Sequence, residues 1–114
     1  MPISTLRSVL HDAFDRRYGV PAFNVVDDLT MQAVVNAAAG ARSPVIVQTS
    51  VKTVRAAGAA VLAALFRAIA AEAPVPVVLH LDHCPDREVI TECIKHGWNS
   101  VSYTHLTLPT ILLV

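Results

Sequence analysis

Four residues that can do chemistry end an apolar run in the stretch VVLHLDHCP (77–85): His80, Asp82, His83 and Cys84. An imidazole beside a carboxylate can supply a metal ligand together with a neighbouring acid or base. Alternation along a strand would place His80 and Asp82 on one face, with His83 where the strand gives way to a loop. The residues alone leave two interpretations open. Either Asp82 and His83 take part in a reaction or bind a metal, or Asp82 caps the next helix and the histidine forms a hydrogen bond with the backbone.

The other groups in this region suit structural roles. We expect His80 to be a hydrogen-bonded histidine of an inner layer. We expect Cys84 to be a small buried residue, because no spacing identifies a base that could activate its thiol. Cys93 lies on the apolar stripe of a helix and should belong to the core. Two cysteines are too few for a disulfide framework, so a reducing cytoplasm is the simplest location.

Polar residues also close two earlier apolar segments. Asn24 ends VPAFNV (20–25), and Gln48 and Ser50 end PVIVQTS (44–50). In α/β proteins with parallel strands, sites are built at the carboxyl ends of the strands. A serine hydroxyl with the backbone N–H groups that follow it could hold a phosphate. The alternative is that these side chains only bond the neighbouring turns.

The elements that must position these residues alternate between helix and strand. The apolar spacing predicts a helix that Ser4 or Thr5 caps, a second that Asp27 or Asp28 caps and Gly40 ends, a third over 54–71 and a fourth that Asp86 opens. The segments 20–25, 44–50, 75–83 and 99–103 read as strands. Continuously apolar strands between helices predict a parallel sheet covered on both faces. The fold class is therefore α/β: a leading helix, three βα units and the start of a fourth strand.

Composition narrows the function classes. The chain has 114 residues, 54% of them hydrophobic, with nine basic and nine acidic side chains. This length suits one small domain. A net charge of zero gives no electrostatic attraction to nucleic acid or to an anionic membrane. No apolar run reaches the roughly 20 residues that span a bilayer, and no secretory signal is apparent. We therefore expect neither nucleic acid nor membrane as a partner.

The strand segments carry a family resemblance. VPAFNV, SPVIVQTS and LHLDHC, followed by HGWNSV, resemble in order and spacing the successive strands of class II, zinc-dependent fructose- or tagatose-bisphosphate aldolases over residues 1–101. The resemblance implies a (β/α)8 TIM barrel after a short helix, of which this chain is an incomplete amino-terminal portion. It also implies a homo-oligomeric full-length protein. The implied reaction cleaves a ketose 1,6-bisphosphate to dihydroxyacetone phosphate and glyceraldehyde 3-phosphate, with zinc polarising the ketone.

The same resemblance assigns roles to individual residues. His83 matches one of three zinc-ligating histidines, and Asp82 matches the acid/base on the C4 hydroxyl of the substrate. Ser50 matches a contact to the substrate phosphate. Asn24 and Gln48 match polar positions near the substrate. Because the other two histidines would lie in the absent half, we expect the isolated chain to be inactive.

The family pattern breaks after Val101. A strand end of the type SVMIDGS is expected, and the chain reads SVSYTHLTLPTILLV instead. The sequence therefore predicts a partial-barrel domain over 1–101 and a divergent apolar tail over 102–114 that resembles translated adapter sequence and is not native to the family. His105 lies in this tail and does not count as a zinc ligand. Two other interpretations stay open: a non-catalytic fragment that associates through open edges, or another metal-dependent TIM-barrel lyase or hydrolase.

Overall fold

A computed structural model describes residues 3–103 and 111–112, in which helices and strands alternate as the sequence predicts up to β4, except that two helices lie between β2 and β3. The helices are α1 Leu6–Arg16, α2 Asp28–Ala41, α3 Val51–Ala57, α4 Ala59–Ala71 and α5 Arg87–His96. The strands are β1 Ala22–Asn24, β2 Val45–Ser50, β3 Val77–Cys84, β4 Ser100–Tyr103 and β5 Ile111–Leu112. Most of the predicted tail, including His105, lies outside the described residues.

The five strands form one sheet in the order β1-β2-β3-β4-β5. The first four strands are parallel, and β5 runs antiparallel to β4. The register aligns Asn24 with Gln48, Gln48 with His80, and His80 with Ser100. A continuous row of polar side chains therefore crosses four strands on one face of the sheet.

The two faces of the sheet have different coverings. On one face Val47, Leu79 and Leu81 join the main core under α2 to α5. On the other face Ile46 and Val78 are buried with residues of α1. Since side chains alternate along a strand, the residues that follow Ile46 and Val78 on this inner face are the polar ones. Helix α1 thus covers the amino-terminal end of the inner face and leaves the carboxyl end to the polar row.

The predicted N-caps are confirmed, and each ambiguity is resolved. Thr5, Asp27 and Asp86 are the residues whose side chains accept hydrogen bonds from backbone N–H groups of the first turns of α1, α2 and α5. These bonds stabilise the carboxylate form and lower the pKa of Asp27 and of Asp86. The caps fix where each helix leaves the sheet.

The prediction of one helix over 54–71 is wrong. Gly58, with φ of 93°, separates α3 from α4, and the two helix axes differ by 97°. Among the described residues no single helix is long and apolar enough to cross a membrane, and the bent α3–α4 pair passes that test on length and composition only. Leu62 and Phe66 of α4 are buried in the main core, which explains the apolar composition of this helix.

One buried hydrogen bond ties distant parts of the core together. The Trp98 indole Nε1–H donates to the Thr49 hydroxyl at 3.2 Å. Both residues are almost fully buried, at 2% and 0% exposure. This bond joins β2 to the turn before β4, across the strand that lies between them.

Candidate active site

Asp82 lies at the carboxyl end of β3 on the inner face, near the amide side chains of Asn24 on β1 and Gln48 on β2. Its Oδ2 accepts a hydrogen bond from Asn24 Nδ2 at 3.4 Å. Asn24 Oδ1 in turn accepts one from Gln48 Nε2 at 2.7 Å. The Asp82 side chain keeps 23% of its surface exposed. The carboxylate is therefore held from one side and open to a ligand from the other.

His83 departs from the regular strand. Pairing between β3 and β4 shifts register between Leu81 and Cys84, and His83 has a left-handed φ of 48°. Its backbone N–H donates to Ser102 Oγ at 2.8 Å. Bulges of this kind redirect a side chain next to active sites. The imidazole is consequently turned outward, with 77% of its surface exposed.

The two adjacent side chains face each other without a hydrogen bond. His83 Nε2 lies 3.6 Å from Asp82 Oδ1, which is too long for a well-formed bond. An imidazole nitrogen that is not engaged by a neighbouring carboxylate can bind a metal ion. The carboxylate oxygen on the same side keeps its capacity to accept a proton.

The prediction for His80 is confirmed. Its Nδ1 lies 2.6 Å from the hydroxyl of Ser100, which is fully buried. Burial is the largest influence on the imidazole and lowers its pKa, against a smaller opposite effect of Asp82. His80 is therefore a neutral, bonded residue of the layer beneath Asp82.

Ser50 lies opposite Asp82 in the register of β2 and β3. Its hydroxyl accepts from the Thr53 backbone N–H at 3.2 Å and bonds Thr53 Oγ1 at 3.1 Å. It is thus the N-cap of α3, the structural alternative that the sequence left open. Its contact to a substrate phosphate stays a prediction. Asp82, by contrast, does not cap α5, since Asp86 performs that function.

Two serines that support the site were not singled out in the sequence. Ser100 bonds His80, and Ser102 bonds the backbone of His83. Alternation along β4 places both serines on the inner face, which is a signal that could have identified Ser100. Ser102 falls after the break in the family pattern, so the resemblance could not assign it.

The predictions for the cysteines are confirmed. Cys84 and Cys93 are free and fully buried. Burial raises the pKa of Cys84, and it raises the pKa of Cys93 to about 12. Both thiols stay protonated at neutral pH and act as small apolar residues.

The donor set for a metal is partial. A catalytic zinc usually has three protein ligands. Within residues 3–103 and 111–112, no group of three His, Cys, Asp or Glu side chains could hold a metal ion. The exposed His83 imidazole fits one ligand position, and the described part of the chain does not by itself complete a zinc site.

The fold and the site together define a class: part of an α/β barrel whose polar residues meet at the carboxyl ends of parallel strands. Residues 4–109 match the family described as Fructose-bisphosphate aldolase class-II. The fructose-bisphosphate aldolase of Pseudomonas aeruginosa is 41% identical over 102 residues, which cover 89% of this chain and 29% of that protein. The sulfofructosephosphate aldolase of Alkalicoccus urumqiensis is 32% identical and is covered to 34%. The chain belongs to the class II fructose-bisphosphate aldolase family.

The solved structures agree in fold. The YdjI aldolase from Escherichia coli K12 superposes with a TM-score of 0.79 at 30% identity, over 87% of this chain and 39% of that one. The predicted fold class is thereby confirmed: the four parallel strands β1 to β4 form part of a TIM barrel. The chain spans about a third of the length of the relatives it matches.

Proposed function

We propose that this chain supplies the first four strands of the active site of an aldolase that cleaves a ketose 1,6-bisphosphate. The observation that carries the proposal is the Asp82–His83 pair at the carboxyl end of β3, inside the segment that matches the family. The products would be dihydroxyacetone phosphate and glyceraldehyde 3-phosphate. Fructose bisphosphate is the first substrate to test, and tagatose bisphosphate is the second.

Asp82 is the acid/base in this proposal. In the cleavage direction an Asp82 oxygen accepts the proton of the C4 hydroxyl while the C3–C4 bond breaks. C4 becomes the aldehyde carbon, and the electron pair of the broken bond stays with the ketone-derived fragment. The partly exposed carboxylate, held by Asn24 on one side, supports this role because a base must be both oriented and reachable.

His83 is proposed as one zinc ligand, and the remaining ligands would lie outside the described residues. Bound zinc supplies the positive charge that polarises the ketone oxygen. The outward imidazole, with 77% of its surface exposed, supports the assignment of His83. Ser50, Asn24 and Gln48 are proposed to line the site on the substrate side.

We also propose a division of the chain, an oligomeric state and a cellular location. Residues 1–101 would be the aldolase portion and 102–114 a tail foreign to the family. The full-length protein would be a homo-oligomer. Two free, buried cysteines support a cytoplasmic location.

The test uses the full-length protein that carries residues 1–101. We expect His83→Ala to lose zinc, measured by metal analysis. Asp82→Ala should keep zinc and lose roughly 10²- to 10⁴-fold in kcat, the usual contribution of a general acid or base. His96→Ala is the matched control, since His96 bonds Glu92 within α5 at 3.0 Å, away from the inner face. Full zinc retention by His83→Ala would contradict the ligand assignment.

A second candidate concerns the 114-residue chain alone. Phe23 at the sheet edge and Leu29 of α2 are exposed at 51% and 76%, and open strand edges favour association. These observations support a non-catalytic chain that self-associates. Stoichiometric zinc and aldol cleavage by the purified 114-residue chain would exclude it. The assay should include a sulfofructose phosphate, since one relative is named for that substrate.

A further inference from the structure

The Gln48–Asn24–Asp82 chain of hydrogen bonds has a fixed direction. Asn24 turns its amide NH₂ toward Asp82 and donates to Asp82 Oδ2 at 3.4 Å, since the nitrogen of an amide donates and a carboxylate oxygen accepts. The Asn24 carbonyl oxygen then faces Gln48, whose NH₂ donates to it at 2.7 Å. Each amide is oriented by its neighbour, and this series of hydrogen bonds ends at Asp82, the proposed acid/base.

Gln48 lies between the other two residues in the sheet. Its register partners are Asn24 on β1 and His80 on β3, and it is less exposed than Asn24. Without its donor, the Asn24 amide could rotate by half a turn and present its oxygen to the carboxylate. That arrangement is repulsive, because both atoms are acceptors.

We propose that Gln48 is a positioning residue, which locks the Asn24 amide so that Asn24 orients the Asp82 carboxylate. This inference rests on the proposed function, in which Asp82 moves the C4 proton. It gives both amides a function different from substrate contact. A residue that binds substrate equally in ground and transition states changes KM, whereas one that orients the base changes kcat.

The test compares two nearly isosteric substitutions in the full-length protein. Gln48→Met removes the donor that holds Asn24. We expect kcat to fall about tenfold while KM stays within about twofold of its value in the unsubstituted protein. A fall of about tenfold in kcat is the size expected for the loss of one hydrogen bond that positions the base. Gln32→Met is the matched control. Gln32 donates to Asn36 at 2.9 Å on exposed α2, so the same kind of bond is lost away from the site and kcat should not change. A higher KM at unchanged kcat, or no change in either, would overturn the inference.

A double substitution separates positioning from a structural role. If Gln48 acts through Asn24, then Gln48→Met should cost little in an Asn24→Leu background, because the coupled bond is already absent. If the kcat losses of the two single substitutions multiply in the double variant, the proposed action of Gln48 through Asn24 is refuted.

A structural readout distinguishes this inference from the proposed function. In a neutron crystal structure of Gln48→Met, which distinguishes the NH₂ of an amide from its oxygen, we expect the Asn24 amide or the Asp82 carboxylate to be rotated relative to the unsubstituted protein. Unchanged orientations would overturn the inference even if the protein cleaves the substrate. Absence of cleavage by the unsubstituted protein would instead refute the proposed function.

Discussion

Loss of the buried bond between Thr49 and Trp98 should destabilise the chain measurably. Thr49→Val keeps the shape of the side chain and removes the acceptor for the indole N–H, which is 3.2 Å from the hydroxyl. Both groups lie inside the core, where water cannot replace the lost partner. An unsatisfied buried donor costs about 1–3 kcal/mol. With a urea m-value of roughly 1–3 kcal/mol/M, the unfolding midpoint should fall by roughly 1 M.

The assay is urea unfolding followed by fluorescence, since Trp98 is the only tryptophan of the chain. Thr91→Val is the control. The Thr91 hydroxyl donates to the Arg87 carbonyl on an exposed face of α5, so its loss should change the free energy of unfolding by less than about 0.5 kcal/mol. Equal midpoints for the Thr49 and Thr91 variants would refute the view that this bond stabilises the core.

Three further predictions concern the fold around the site. Burial lowers the pKa of His80 below 6.5, so the folded state binds fewer protons than the unfolded state at mildly acidic pH. The stability that this imidazole contributes should therefore be fully present above pH 6.5 and decline as the pH falls below it. In thermal melts, His80→Gln should reduce the change of melting temperature with pH. Gly58→Ala should lower the free energy of unfolding by about 1–2 kcal/mol through the φ of +93° alone, since a Cβ at this position meets nothing within 4 Å. Gly40→Ala, within helix α2, should instead raise the free energy of unfolding by up to about 1 kcal/mol. A similar effect at both positions would contradict the backbone argument. Cys93 should resist thiol reagents in the folded chain at pH 8, because burial raises its pKa to about 12, and rapid labelling without unfolding would show that it is accessible.

Apart from the break at Gly58, the sequence predicted the alternation of helices and strands, and it predicted that the polar residues of the candidate site lie at the carboxyl ends of the strands. Apolar runs between capped helices sufficed for a parallel sheet, because burial on both faces demands apolar residues at every position of a strand. The polar residues that end those runs, Asn24, Gln48 and Asp82, therefore had to lie at one edge of the sheet. The family resemblance added roles for individual residues, and a pattern of spacing could not have supplied those roles.

The tertiary structure alone determined how these side chains use their hydrogen bonds. Asn24 and Asp82 are separated by 58 residues, and no local pattern encodes that an amide on β1 reaches a carboxylate on β3. The outward turn of His83 depends on a register shift against β4 and on Ser102, which are properties of strand pairing. Local periodicity specifies which face a residue occupies, whereas the partner that it meets on that face depends on packing between distant segments.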